Sequence, residues 1–436
     1  MVTFSTDALN LGVRKREVFA WAMYDFANSG YTTVVLTAVF AAYFVGSVAD
    51  GAEWATFAWT LALGISNAIV MFSMPVIGAW ADRRGAKKRT LVVSTVGCVL
   101  GTAALSAVGP GAVLLGMVLV AVSNVFFAWG ESLAAAFLPE LARPDAMGQV
   151  SGWGWGLGYL GGMLALGLSL AYVLWAQSHG RTPAEFVPVT MGITAVLFGL
   201  SATVTFSLLR ERAVPAQTAV ASLRWRDAWG QLRATFAQAS DYRDFMWLLG
   251  CAVAYQGGVA VTIALAAIYA EQVIGFVQQE TMVLIFVLNI AAALGAFAFG
   301  YGQDRWGHKR VLAVTLLGWV VTCVIAALTT TKGGFWYAAA IAGVCMGSSQ
   351  SAGRAMAGLL APPTQLAEFY GLWTVATRLA SILGPLSYGA ITWATSGNQR
   401  AAIASTAVLF VLGLLLLWPV DMARGRARAL QPGEGR

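Results

Sequence analysis

The chain has 436 residues, of which 58% are hydrophobic and only 11% are charged. A soluble domain of this length could not hide so much apolar surface behind so few charges, so the composition excludes a soluble protein and predicts solvation by a lipid bilayer. The formal net charge is +7. Such an excess fits binding to nucleic acid or to anionic lipid, and the distribution of the charges has to decide between them.

Apolar runs of roughly 18 to 28 residues recur along the whole chain, and each can cross a hydrocarbon core of about 30 Å as a helix. The first run ends without a small-residue cleavage site, so we expect it to be retained and not removed as a signal peptide. We predict an all-α membrane protein with twelve spans near residues 18–46, 54–81, 90–109, 112–138, 148–176, 187–209, 244–272, 281–302, 310–330, 335–360, 367–393 and 399–419.

The basic residues segregate to one side of these predicted spans. The opposite side receives only Arg181, Lys332 and Arg400. Because cytoplasmic loops are enriched in Lys and Arg, both termini and the long middle loop are predicted to be cytoplasmic, which requires an even number of spans. The basic side takes the residues near positions 14–16, 83–89, 143, 210–243, 305–310 and 424–436.

A GxxxDRxGxK pattern follows the second span and returns after the eighth, so the chain reads as a duplication of six spans. The two copies resemble the signature loop of the major facilitator superfamily. That resemblance implies that each Asp braces the ends of neighbouring helices, that the glycines allow a tight turn and that the basic residues lie at the lipid surface. The copies comprise Gly78, Asp82, Arg83, Gly85 and Lys87, and Gly300, Asp304, Arg305, Gly307 and Lys309.

The duplication predicts three parts: an N-terminal six-helix bundle over residues 1–210, a cytoplasmic linker over 211–243 and a C-terminal six-helix bundle over 244–436. In the linker, Trp225, Trp229 and Phe236 recur at helical spacing among arginines, which is typical of a helix lying on a membrane surface. A basic aromatic segment can also bind nucleic acid, but a short loop tethered to membrane at both ends favours lipid, so we predict no nucleic-acid partner.

Four ionisable side chains fall well inside predicted spans, where burial is costly unless they face a cavity or the bundle interior. They are Asp25, Glu131, Arg354 and Arg378. Glu131 and Arg354 occupy nearly equivalent positions in the repeat, so we predict that they pair across the cleft and act as a gate. Asp25 and Glu131 are candidate proton-coupling groups, although all four side chains also fit a role as static struts between helices.

Uncharged polar residues add further candidates on the spans that line the central cavity in the superfamily. We select Asn28, which shares a helical face with Asp25, and the adjacent pair Tyr255 and Gln256 as contributors to substrate binding or coupling. In most membrane bundles such residues form interhelical hydrogen bonds, which is the plainer interpretation.

The fifth span opens with a glycine run in which Gly154, Gly158 and Gly162 share one face at four-residue spacing. Small residues at this spacing let another helix approach closely. In the superfamily the fifth and eighth spans meet between the halves, so we expect these glycines to form a sliding surface there.

Several segments resemble the vacuolar amino-acid effluxer family linked to autophagy and its bacterial relatives. They are residues 21–29, 137–140, 158–162 and 369–372. The resemblance implies a monomeric secondary transporter in a bacterial inner membrane that moves a small polar solute, with amino-acid efflux and proton coupling as its finer expectations. A membrane sensor that kept the fold without transporting remains the alternative.

Cofactor and enzyme chemistry have little support in the sequence. The four cysteines lie far apart in separate apolar runs, and the two histidines lack neighbouring ligands, so we predict neither a disulfide nor a metal site. The chain also lacks a GxxxxGKS/T phosphate loop and a convergent nucleophile and base in its spans. We therefore expect no cofactor and no enzyme activity.

Overall fold

The fold was analysed in a computed structural model, in which residues 5–52, 54–212, 237 and 239–431 are described. The described part is all-helical, with a single isolated bridge between Leu9 and Ala142. The predicted amphipathic helix of the linker, with Trp225, Trp229 and Phe236, lies outside the described residues. The main helices are α1 Lys15–Tyr31, α2 Ala55–Arg84, α3 Lys87–Ala104, α4 Val113–Ala135, α5 Met147–Ser178, α6 Pro183–Leu208, α7 Arg243–Tyr269, α8 Gln278–Trp306, α9 His308–Leu328, α10 Lys332–Leu360, α11 Leu366–Ala394, α12 Gln399–Leu417 and α13 Met422–Leu430.

Within the described ranges, ten helical segments are long and apolar enough to cross a membrane. They correspond to predicted spans 1 to 9 and 12, and the first continues beyond α1 to Val48 through π-helical turns. The predicted spans 10 and 11 are the 29-residue helices α10 and α11, which are not among the ten. The all-α membrane fold is confirmed, and the number twelve stays a prediction.

Local sequence explains where several helices begin and end. Gly85 closes α2 with φ +58°, in the left-handed region that favours glycine. The hydroxyl of Thr331 accepts a hydrogen bond from the Gly334 N–H at the start of α10, and the Asn398 side chain caps α12 in the same way.

Two helix pairs make the most extensive contacts between the N-terminal half, defined here as the described residues up to 212, and the C-terminal half, defined as those from 237 onward. In one, α5 packs against α8, and in the other, α2 packs against α11. Within their own halves, α5 also packs against α1 and α11 against α7. We call the end of the bundle that carries residues 83–89 and 305–310 the basic end and the opposite end the far end.

The glycines of α5 lie on two faces of the helix. The face predicted to slide against α8 packs against α1 instead. Gly158 and Gly162 lie against α1, where added Cβ atoms would meet Ser29 Oγ at 3.0 Å and Thr33 Oγ1 at 2.9 Å. The contact with α8 is made by Gly152, whose added Cβ would lie 3.2 Å from the Cα of Gly300. The prediction that Gly154, Gly158 and Gly162 meet α8 is wrong. The run of glycines gives α5 a second small face that includes Gly152, and that face meets α8.

Candidate functional site

Asp25 of α1 and Arg354 of α10 form an ion pair that joins the two halves. The Arg354 Nη1 lies 2.6 Å from Asp25 Oδ2, and the two side chains are only 8% and 16% exposed respectively. Arg354 also donates from Nη2 to the Ser151 carbonyl oxygen at 2.8 Å and from Nε to the Ser151 hydroxyl at 3.2 Å. This guanidinium therefore fastens α10 to both α1 and α5.

Two tryptophan rings enclose the Arg354 guanidinium. Its Cζ lies 4.8 Å from the ring centroid of Trp21 and 5.3 Å from that of Trp155. A cation close to an aromatic ring is stabilised by the ring quadrupole, and more so where water is excluded. Gly154 completes the enclosure, since an added Cβ there would lie 2.5 Å from Arg354 Nη2 and nearer still to Asp25 Oδ2. In this geometry the ion pair occupies the space that a side chain at position 154 would take.

Glu131 of α4 and Arg378 of α11 form a second ion pair between the halves. Arg378 Nη2 lies 2.6 Å from Glu131 Oε2, and the Glu131 side chain is 41% exposed. The Nε of Arg378 is buried and has no hydrogen-bond partner within the described ranges. From the start of α11, Arg378 lies about 18 Å along the helix, compared with roughly 10 Å from Arg354 to the end of α10. Among the described residues, Arg378 makes fewer hydrogen bonds than Arg354, and its partner carboxylate is more exposed than that of Asp25.

The predicted partnership of Glu131 with Arg354 is wrong. Equal depth in the repeat places both residues at similar heights, but the rotation of each helix decides which neighbour its side chain meets. Arg354 points toward α1 and α5, where Asp25 and the Ser151 oxygens accept its hydrogen bonds, whereas Glu131 faces α11. All four predicted ionic residues form ion pairs between the halves, Asp25 with Arg354 and Glu131 with Arg378.

The two signature aspartates bind the first turns of helices in the opposite half. Asp82 Oδ2 accepts the Glu368 N–H of α11 at 2.9 Å. Asp304 accepts the N–H groups of Gly148 and Gln149 of α5 at 2.8 and 2.9 Å. Because helix N-termini carry partial positive charge and unpaired N–H groups, these carboxylates act as cross-half caps. This is the bracing that the signature resemblance implies.

The glycines and the basic residues of the two signature loops lie in different surroundings. Gly78 lies against the start of α11, where an added Cβ would lie 2.9 Å from the Glu368 nitrogen, and Gly307 turns with φ +92°. The expectation of basic residues at the lipid surface fails for Lys87, which is 1% exposed and paired with Glu140. Lys87 is drawn inward because Glu140 is itself largely buried and needs a counter-charge. The Arg305 side chain is exposed, as expected.

The uncharged candidates Asn28, Tyr255 and Gln256 form contacts separate from the two ion pairs. Gln256 donates from Nε2 to Gln350 Oε1 at 2.6 Å and to the Tyr255 hydroxyl at 3.3 Å, which links α7 to α10. Asn28 is 6% exposed, and its Oδ1 has no hydrogen-bond partner in the part of the chain that the structure describes. No group of three or more metal-binding side chains occurs among the described residues.

Sequence reasoning missed Ser151, Trp21, Trp155 and the special role of Gly154. One signal was present, since Trp21 lies one helical turn before Asp25 and therefore shares its face. The role of Gly154 depends on the approach of α10, which helical spacing within α5 does not reveal. In the described ranges, the hydrogen bonds and ion pairs between the halves cluster toward the basic end.

Comparisons with known proteins agree with this fold. A family model described as vacuole effluxer Atg22 like matches residues 54–430. The MFS-type transporter YxiO of Bacillus subtilis strain 168 is 28% identical over 409 residues, covering 91% of this chain and 93% of that protein. Autophagy-related protein 22-1 of Penicillium rubens is 24% identical over 481 residues, covering 90% of this chain and 79% of the fungal protein.

Solved structures share the fold at much lower identity. The human organic anion transporter MFSD10 superposes with a TM-score of 0.71 at 16% identity, covering 92% of this chain and 99% of the other. The transporter FucP in its outward conformation gives 0.70 at 15% identity, covering 93% and 98%. With a family model spanning most of its length and relatives that are transporters, the chain belongs to the vacuole effluxer Atg22 like family and is a multi-pass membrane transporter of the major facilitator superfamily.

Proposed function

We propose that this protein is a proton-coupled secondary transporter that exports amino acids by alternating access. The observation that carries the proposal is the pair of buried or half-buried ion pairs, Asp25 with Arg354 and Glu131 with Arg378, which link the two halves inside the membrane region. Charged groups are costly at this depth and normally mark ion or substrate pathways. The description of the family as effluxers supports the direction.

Alternating access is supported by the uneven distribution of the bonds between the halves. The cross-half caps at Asp82 and Asp304 and the Asp25 pair all lie toward the basic end. Breaking this set while forming contacts at the far end would exchange the side on which a central site is open. We therefore assign residues 1–210 and 244–436 to two moving bundles and residues 211–243 to the linker between them.

The basic end faces the cytoplasm in this proposal, because Lys and Arg concentrate in cytoplasmic loops. Both termini would then be cytoplasmic, in the inner membrane of a bacterium, and the closed basic end corresponds to an outward-open state. The solved FucP structure with a similar fold is in its outward conformation. We further propose that a monomer suffices, since both ion pairs form within one chain.

Proton coupling is assigned to Asp25. Arg354 keeps its charge at every physiological pH, so only the carboxylate of this pair can be neutralised. Protonation of Asp25 would remove the attraction that holds α10 against α1, whereas the two Ser151 hydrogen bonds would remain. The pair would thereby weaken enough to separate without leaving a buried carboxylate unpaired.

Amino-acid binding is assigned to the pair of Glu131 and Arg378. An amino acid carries one carboxylate and one ammonium group, which match the charges of Arg378 and Glu131. Glu131 is accessible, and the unpartnered Nε of Arg378 is a donor available to a carboxylate. Asn28, with an unpartnered buried oxygen, and the Tyr255 and Gln256 pair are the candidate polar contacts for the rest of the substrate.

The test is uptake and counterflow of a labelled amino-acid panel in proteoliposomes, with and without an imposed pH gradient. We expect movement that depends on the gradient in the wild type and loses that dependence in Asp25→Asn. Gradient-independent movement in the wild type would refute proton coupling. Failure of every amino acid would refute the substrate class, and unchanged movement in Glu131→Gln would remove the second pair from the binding site.

A further inference from the structure

The start of α3 in the N-terminal half carries a bound carboxylate. The side chain of Glu211, which follows the end of α6, accepts the N–H of Lys87 at 2.5 Å and that of Lys88 at 3.2 Å. The first N–H groups of a helix have no partner within the helix, and its N-terminus favours negative charge. Glu211 therefore shows what an anion at this position of the repeat contacts.

Among the residues that the structure describes, no carboxylate binds the equivalent helix start in the C-terminal half. The signature loop leads in the same way into α9, where Lys309 and Arg310 stand at the positions of Lys87 and Lys88. Among the described residues, no side chain accepts a hydrogen bond from the N–H of Lys309 or Arg310. Asp421, which follows α12 as Glu211 follows α6, instead accepts the N–H groups at the start of α13.

A cavity of about 410 Å³ lies beside the start of α9. Its wall contains Lys309, Arg310 and Asp421. The Lys309 ammonium donates to the carbonyl oxygens of Trp418 and Val420 at 2.7 and 2.8 Å, which fixes the segment after α12 as the opposite wall. The full set of lining residues is Trp306, Gly307, His308, Lys309, Arg310, Val420, Asp421, Met422 and Ala423.

We propose that this cavity binds the phosphate of an anionic phospholipid headgroup. The N–H groups at the start of α9 are the counterparts of the Lys87 and Lys88 N–H groups that Glu211 accepts in the other half, and the exposed Arg310 side chain adds a positive charge beside them. Trp306 and Trp418 flank the site with 58% and 82% of their surfaces exposed. Exposed tryptophans are typical of the membrane–water interface. Phospholipid headgroups are abundant at that interface, whereas free anions are not concentrated there.

The test is native mass spectrometry of the full chain with added phosphatidylglycerol, phosphatidylcholine or inorganic phosphate. We expect retained phosphatidylglycerol, little phosphatidylcholine and no displacement by millimolar inorganic phosphate. Arg310→Gln should weaken phosphatidylglycerol binding by about fivefold, the effect of one basic residue near a membrane surface. Ala423→Glu should abolish binding by placing a carboxylate in the cavity, at a first-turn helix position that tolerates an acid.

The matched control is Arg89→Gln, which removes one exposed arginine from the start of α3, where Glu211 already occupies the helix N-terminus. Its phosphatidylglycerol binding should equal that of the wild type. Equal losses in Arg89→Gln and Arg310→Gln, or full binding by a folded Ala423→Glu variant, would overturn the site. Retention of inorganic phosphate without selective retention of phosphatidylglycerol would overturn the lipid as its ligand.

Discussion

The substitution Gly154→Ala should open the basic end without removing a charge. An added Cβ would lie 2.5 Å from Arg354 Nη2 and 2.8 Å from the Trp21 ring, and closer to the Asp25 carboxylate. The Ser151 hydrogen bonds hold the guanidinium in place, so it cannot retreat freely. Overpacking of this kind costs about 1–3 kcal/mol. The part of this cost that falls on Arg354 applies only while the ion pair is formed, and a share of about 1 kcal/mol shifts the equilibrium about fivefold toward the separated state.

The assay is double electron–electron resonance between nitroxides at the exposed positions 89 and 427, in a variant whose four buried cysteines are replaced. Gly154→Ala should enlarge the population with long distances between these labels. Gly167→Ala is the matched control, because it lies on the same helix and its added Cβ would meet no atom within 4 Å. Identical distance distributions in the two folded variants would refute the reasoning.

Two further substitutions isolate other contacts. Trp155→Leu removes a ring whose centroid lies 5.3 Å from the Arg354 guanidinium. It removes no hydrogen bond of the indole, since the Trp155 Nε1 has no partner among the described residues. Losing about 1 kcal/mol of cation–π stabilisation should shift the equilibrium between short and long label distances about fivefold toward the long distances. An unchanged equilibrium would exclude a cation–π contribution from Trp155. Lys87→Met leaves Glu140 buried without its counter-charge and should cost about 3–5 kcal/mol in the free energy of unfolding. Chemical denaturation should show most of that stability restored by adding Glu140→Leu, and an equally unstable double variant would assign the loss to packing.

Hydropathy, charge distribution and the internal repeat were sufficient to predict the architecture. Apolar runs of membrane-spanning length determine the helices, and the resemblance of the repeated loop to a superfamily signature implies that Asp82 and Asp304 brace neighbouring helix ends. In the structure each accepts N–H groups of a helix in the opposite half. These features depend on composition and spacing along one chain. They do not require knowledge of how two helices are rotated against each other.

The contacts of individual side chains were less accessible to sequence reasoning. The choice of Asp25 and not Glu131 as the partner of Arg354 depends on helix rotation, and the burial of Lys87 depends on its pairing with Glu140, which is distant in sequence. The second small face of α5 is visible in the sequence as Gly148, Gly152 and Gly156. Only the packing in the structure shows that this face contacts α8 and that the other face contacts α1.

A double-variant cycle on Asp25 and Arg354 tests the central claim most directly. Exchange of a labelled substrate found in the amino-acid panel would be measured for Asp25→Asn, Arg354→Gln and both together. Each single variant leaves an unsatisfied partner, so we expect both to slow exchange and the double variant to recover part of the loss, since its amides are neutral. Losses that simply multiply in the double variant would contradict the account, because the two residues would then act independently of their ion pair.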